Sequence, residues 1–271
     1  MAKKILLTGA SDGIGLEATK LLAAQGHQLL LHGRNAQKLE QAKNAISESD
    51  ALIETYLADL SDLRQVVALA ADIQSKHTSL DVIINNAGVF KTSAPVSAAG
   101  LDVRFVVNTI APYILTMQLL PLMPDDARIV NISSAAQQPV DLAALRGDTL
   151  LSDAMQAYAQ SKLAITMWTR QLAHSQSQLQ GEGNRVFVSV NPGSLLASKM
   201  VKEGFGVEGK DIGIGADILA RAAVSDEFAD ASGKYFDNDI GAFGDPHPDA
   251  LNDTLCASVA SACSQFAMGA V

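Results

Sequence analysis

The most pointed chemistry in this 271-residue sequence lies in two residues four apart, Tyr158 and Lys162, in the run Tyr-Ala-Gln-Ser-Lys. The apolar pattern from Ala154 to His174 is helical, so the two side chains emerge on one face. A phenol titrates near about 10 and is a poor acid or base at neutral pH. An ammonium beside it favours the phenolate and brings that pKa toward the useful range. Lys162 is also long enough to reach a ribose hydroxyl. Such a pair arises often by chance, so its weight depends on its surroundings.

A second candidate opens the chain: Thr8-Gly9-Ala10-Ser11-Asp12-Gly13-Ile14-Gly15. It follows an apolar run and precedes a helical one, the setting of a phosphate-binding turn. Gly9 permits the tight turn, Gly13 lets the backbone approach a pyrophosphate, and Gly15 allows close helix–sheet packing. The helix that follows would present free N–H groups and a positive dipole end to the phosphates. Three glycines in a structural turn are the plain alternative; the strand–turn–helix context favours dinucleotide binding.

These residues need elements to hold them. Strands are expected at Lys4–Thr8, Gln28–His32, Leu52–Leu57, Asp81–Asn85, Arg128–Ile132, Arg185–Val190 and Gly233–Phe236. Helices are expected at Ile14–Gln25, Ala36–Glu48 behind Asn35, from a Ser61 cap to His77, and over Val103–Leu120, Ala154–His174 and Asp211–Val224. Strands apolar on both faces and alternating with helices predict an α/β fold: one domain, a doubly wound parallel sheet with helices on both faces. A nucleotide-binding half would run over about 1–133, a catalytic and substrate half over 134–240, and a C-terminal extension over 241–271. Gln137–Asp153 reads as a polar insertion, and the tail from Asp245 has no evident role.

Lys and Arg number 20 against 29 Asp and Glu, a net charge of −9, with no basic block, which argues against nucleic-acid and anionic-membrane partners. With 48% hydrophobic and 18% charged residues the chain is expected to be compact. No uninterrupted apolar run of roughly 20 residues is apparent for a membrane span, and the N-terminus lacks a secretory apolar region. A soluble, cytoplasmic protein is the expectation. Cys256 and Cys263, two helical turns apart, are too distant to bridge and read as buried thiols. His27, His32, His77, His174 and His247 show no metal-ligand spacing and read as surface or loop residues, so no metal is expected.

The loop spacing Gly-x-x-x-Gly-x-Gly resembles that of the short-chain dehydrogenase/reductase family, and further motifs follow in family order. They are Asp59-Leu60, Asn85-Asn86-Ala87-Gly88, Asn108, Ser134, Tyr158-x-x-x-Lys162 and Pro192-Gly193. The resemblance reaches to about residue 236 and implies a Rossmann-like nicotinamide enzyme. It implies that Ser134, Tyr158, Lys162 and Asn108 are catalytic: Ser134 donating to a substrate carbonyl, Tyr158 passing the proton, and Asn108 holding a water that links Lys162 to solvent. The cofactor would meet Gly9, Ser11, Asp12, Gly13, Ile14, Gly15, Arg34, Asn35, Asp59, Leu60, Asn86, Ala87, Gly88, Tyr158, Lys162, Pro192, Gly193 and Leu195. Ser134 and Tyr158 stand 24 apart, wider than in most members; with the flanking sequence this resembles the retinol-dehydrogenase-like branch. Where the family carries Thr or Ser four residues after the Gly, this chain has Ala197, then Ser198.

The implied reaction interconverts an alcohol and an aldehyde or ketone. A sugar-nucleotide epimerase or dehydratase of the extended branch, and a non-catalytic NADP sensor, are alternatives. The loop spacing and length speak against the former, and retention of both Tyr158 and Lys162 against the latter. NADP(H) is favoured over NAD(H): Gly33 stands where NAD members carry Asp, and Arg34 offers a guanidinium to a 2′-phosphate, although Asp12 would not welcome one. Phe90, Val140, Leu142, Leu145, Leu195, Leu196, Met200 and Phe205 suggest a small apolar carbonyl or alcohol substrate. Leu196–Gly209 is expected to act as a mobile lid, and family members associate as homodimers or homotetramers.

Overall fold

The computed structural model describes residues 2–47, 49, 51–178 and 184–269. Eight strands form one sheet: β1 (Lys4–Thr8), β2 (Gln28–Gly33), β3 (Ile53–Leu57), β4 (Val82–Asn85), β5 (Arg128–Ile132), β6 (Val186–Asn191), β7 (Tyr235–Asp237) and β8 (Ala242–Gly244). Their order is β3-β2-β1-β4-β5-β6-β7-β8, parallel except for β8, which returns antiparallel to β7. The chain winds outward from β1 to β3, then crosses to β4, so order reverses between β1 and β4. Open α/β sheets bind ligands at such a switch point, beyond the strand C-termini.

Strand alternation sorts the core into two layers. Leu6, Leu30, Ile83, Ile129 and Phe187 face α3 (Leu63–Lys76), a long α4 (103–119), α6 (Ala154–Gln178) and α9 (Asp253–Gly269). Ile5, Leu7, Leu29, Leu31, Ile84 and Val130 face α1 (Gly13–Ala24), α2 (Ala36–Asn44) and α8 (Gly213–Val224). Trp168 and Phe105 are fully buried in the first layer, each contributing about 1.5–3 kcal/mol relative to exposure.

Several sequence expectations need correcting. α2 ends at Asn44; Glu48, its expected end, lies outside the described residues. Asp62, not Ser61, caps α3, its carboxylate accepting from Arg64 N. α4 comprises Val103–Phe105, a π turn at Val106–Ile110 and Ala111–Leu119, the widened turn carrying Asn108. The stretch Val103–Leu122 is long and apolar enough to cross a membrane by composition, contrary to the sequence reading, but it is mostly buried in the fold. His27, His32 and His77 are buried, not surface residues, because each ring finds a polar partner inside. The C-terminal extension forms β8 and α9, and α9 packs Cys256, Val259 and Cys263 against α6 and α4. Burial pushes both thiols up, Cys256 to about 11.

The insertion is no simple loop. It contains α5 (Leu142–Arg146), capped by Asp141 and ended by Gly147 in the left-handed region, where a side chain would run into Leu101. Leu145 is fully buried, so α5 is pinned to the core.

Candidate active site

The C-terminal ends of β1, β2 and β4 build one cradle. Thr8 Oγ1 accepts from the N–H groups of Asn86 (3.0 Å) and Ala87 (3.1 Å). Asn86 Nδ2 donates to the carbonyls of Thr8 (2.9 Å) and Gly9 (3.2 Å), fixing the glycine loop. Gly9 turns at φ 68°, and a Cβ there would stand 2.9 Å from Ala87 Cα. A side chain at Gly15 would run into the Gly9 carbonyl, whereas around Gly13 a Cβ would meet only Ile212 Cδ1, at 4.0 Å. The loop is thus tight against the sheet and open at the start of α1, a shape that fits a pyrophosphate.

Asp12 caps α1 through Gly13 N (2.9 Å), and its second oxygen lies 2.5 Å from Lys38 Nζ. Arg34 is exposed beside them, and Asn35 caps α2 through Lys38 N (2.9 Å). Lys38 is absent from the sequence-based candidates; its place four residues after Arg34, in the first turn of α2, was the available signal. Gly33 has a steric reason to lack a side chain: a Cβ there would stand 2.9 Å from Ser11 Oγ and 3.1 Å from Leu39 Cγ. His32 braces this corner, Nδ1 facing Gly9 N (3.4 Å) and Nε2 facing Ala58 O (3.0 Å). Beyond β3, Asp59 Oδ1 accepts from Ser61 N (2.9 Å) and Oγ (2.8 Å), while Leu60 is buried.

The reactive groups meet beyond β5. The last ladder bond there is Ser133 N to Val190 O (2.8 Å). Ser133 is buried with its hydroxyl against Thr166 (2.7 Å), whereas the partly exposed Ser134 lies near enough to the Tyr158 hydroxyl to lower its titration. Of the two serines, Ser134 is the one that acts on the tyrosine. Ala136 N donates to Ser134 Oγ (3.1 Å), occupying one acceptor position of that hydroxyl. Lys162 is 4% exposed; its amine donates to Ile132 O (2.7 Å) and lies 5.8 Å from the Tyr158 ring centre. A Cβ at Gly88 would stand 3.6 Å from that amine, which places the Asn86–Gly88 segment beside it.

Burial pushes the Tyr158 phenol up, and the Ser134 hydrogen bond offsets only part of that rise. This differs from the expectation that Lys162 would hold it down: the amine stands over the ring, 5.8 Å from its centre, and donates to a carbonyl. Burial lowers Lys162 itself to about 8.

Asn108 is 1% exposed, and its amide joins two elements. Oδ1 accepts from Val89 N (2.8 Å), and Nδ2 donates to Val89 O (3.0 Å) and Ser161 Oγ (2.9 Å). It braces the loop after β4 against the helical turn that carries Tyr158 and Lys162.

After β6, Pro192 O accepts from Asn238 Nδ2 (3.0 Å) and Gly193 turns at φ 119°. Leu195, 43% exposed, has a left-handed φ of 56°, unusual for a branched side chain. Neither nearby hydroxyl is idle: Ser194 Oγ bonds Asp239 (2.5 Å), and Ser198 accepts from Val201 N (3.3 Å) to cap α7 (Lys199–Phe205). The expected lid therefore carries a helix, tied back by a bridge between Leu196 and Lys210. A Cβ at Gly204 would stand 2.7 Å from the Phe90 ring, whose centre is 5.1 Å from that of Tyr158.

Not all expected wall residues reach this site. Val140 and Leu142 line a separate cavity of about 70 Å³ with Met167 and Val259. The Phe205 side chain lies outside the described residues.

A sequence profile of the short chain dehydrogenase family matches residues 3–209. Retinol dehydrogenase 13 of Homo sapiens is 32% identical over 259 residues, covering 87% of this chain and 76% of that protein. Among solved structures, the angucycline C-6 ketoreductase LanV with bound NADP superposes with a TM-score of 0.69 at 25% identity, covering 87% of this chain and 93% of that one. A short chain dehydrogenase from Shigella flexneri complexed with NADP gives 0.67 at 27% identity, covering 87% and 96%.

Proposed function

The chain belongs to the short chain dehydrogenase family, on its retinol-dehydrogenase-like branch, and from that footing we propose that it is an NADP(H)-dependent oxidoreductase interconverting a small apolar alcohol and its carbonyl. The observation that carries this reading is the convergence of Tyr158 and the buried Lys162 amine, 5.8 Å from its ring centre, with Ser134 at the end of β5 and the glycine cradle beside them.

A nicotinamide bound at the cradle supplies or accepts the hydride. The remaining work falls to the chain. Ala136 N–H fills one acceptor position of Ser134, leaving its O–H to donate to a carbonyl oxygen as negative charge builds there. The phenol keeps its proton at neutral pH, so Tyr158 holds the proton that the substrate oxygen needs. Lys162 keeps two further donors beside its bond to Ile132, enough to meet a ribose hydroxyl. Phe90, its ring tilted against that of Tyr158, supplies an apolar wall for the substrate.

NADP(H) is supported from two sides. LanV and the Shigella protein carry NADP. Here Gly33 leaves no room for an acid without displacing Ser11, and Lys38 meets the charge of Asp12 that would repel a 2′-phosphate. The test is a panel of aldehydes and ketones with NADPH and with NADH, following cofactor oxidation. Turnover with NADPH is expected; inertness toward every carbonyl and alcohol would contradict the reading.

A further inference from the structure

We propose that Tyr235 and Gln137 are positioning residues for this reaction: from two distant parts of the chain they fix the carbonyl of Ser134 and so aim its hydroxyl. This rests on the reading of Ser134 as the group that meets the substrate oxygen. The Tyr235 hydroxyl donates to Ser134 O at 3.1 Å across 101 residues, and Gln137 Nε2 donates to the same oxygen at 2.9 Å.

The orientation of the Gln137 amide follows from its other end. Its Oε1 accepts from the backbone N–H of His247 at 3.0 Å. A backbone N–H can only donate, so the oxygen must face His247 and the amine must face Ser134. Tyr235 is equally determined. It lies on β7 opposite Ser189 of β6, is 5% exposed, and burial pushes its phenol up, so it remains a donor.

The sheet itself does not hold Ser134, because the ladder bond to β6 ends at Ser133 N. The next carbonyl is held instead by a side chain from β7 and one tied to the segment before α9. One hydrogen bond would satisfy that carbonyl. Two convergent donors restrict its direction, and with it the hydroxyl that Tyr158 touches. Displacement by about 1 Å near a reacting centre can cost on the order of 10²-fold in rate.

The test is a double-mutant cycle in the full-length chain, with NADPH and the best carbonyl of the panel. Tyr235→Phe keeps the ring and removes only the donor; it is expected to lower kcat roughly 5- to 20-fold, within that range, with the KM for NADPH unchanged. Placed on Ser134→Ala it is expected to do nothing more, since no hydroxyl remains to be aimed. A structural role would lower activity equally in both backgrounds. Gln137→Met, on the loop, carries the same cycle should Tyr235→Phe fail to fold. If the parent turns over carbonyls but these variants keep parental kcat, or multiply with Ser134→Ala, this inference is overturned and the proposed function stands. A parent inert toward every carbonyl overturns both.

Discussion

Lys38 Nζ stands 2.5 Å from Asp12 Oδ2, joining the first turn of α2 to the glycine loop. The side chains are about half exposed (48% and 56%), so the pair should matter little to stability and chiefly to charged ligands arriving beside it. Lys38→Ala should therefore leave Tm nearly unchanged while raising the KM for NADPH by at least roughly 10-fold, the scale of one charge-assisted contact. Adding Asp12→Asn should restore part of the loss by removing a negative charge from the glycine loop. Equal effects on NADPH and NADH would show that the pair does not select the phosphate.

Gly204 bears on Tyr158 through Phe90. Gly204→Ala would force the Phe90 ring aside, because the new Cβ would begin 2.7 Å from it. The expected result is a several-fold fall in kcat with the NADPH dissociation constant unchanged, from misplacement at the site. Phe90→Leu in the Gly204→Ala background should recover part of the rate by making room. A Gly204→Ala enzyme with parental kinetics would show that α7 does not press on the site.

His32 gives a pH signature of folding. Burial lowers it to about 4, with the Ala58 carbonyl and Asp59 opposing. Between pH 6.5 and 4 the unfolded chain binds a proton that the folded chain does not, so stability falls as pH falls through this window. The contribution is fully present above 6.5 and gone below 4, about 3 kcal/mol for such a shift. Urea unfolding at pH 7 and pH 4 should show a difference smaller by about that amount in His32→Gln. The same pH dependence in parent and variant would mean that His32 accepts its proton in the fold.

Much of this was legible beforehand for a physical reason. Runs such as Ile5–Leu7 and Leu29–Leu31, apolar at consecutive positions, make sense only between two helical layers, and they gave the sheet. Tyr158, Lys162 and the glycine loop were legible because local spacing alone juxtaposes them. What stayed hidden depends on long-range partners. The Asp12–Lys38 pair spans 26 residues, and the Tyr235–Ser134 bond spans 101. α9 was obscured because its Ala/Ser-rich composition carries its contacts on a few small residues, such as Cys256, Ala260 and Cys263. The buried histidines escaped because burial depends on a ring's partner, as with His77 and Tyr56.

Reduction should weaken in alkali. It needs the proton on Tyr158 and benefits from charge on Lys162, and Lys162 loses its charge first, at about 8. With NADPH, kcat/KM for carbonyl reduction should be level below about pH 8 and fall above it. A rate still rising well above that point would place the ionisation elsewhere.

In the proposed reaction Tyr158 carries the proton. The most direct measurement compares Tyr158→Phe with the parent for NADPH binding, by fluorescence titration, and for carbonyl turnover. The phenol proton is lost while the ring and its contact with Phe90 remain. The expected result is an essentially unchanged NADPH dissociation constant and turnover lower by at least roughly 10²-fold. A Tyr158→Phe enzyme that binds NADPH normally and reduces the carbonyl at the parental rate would contradict it.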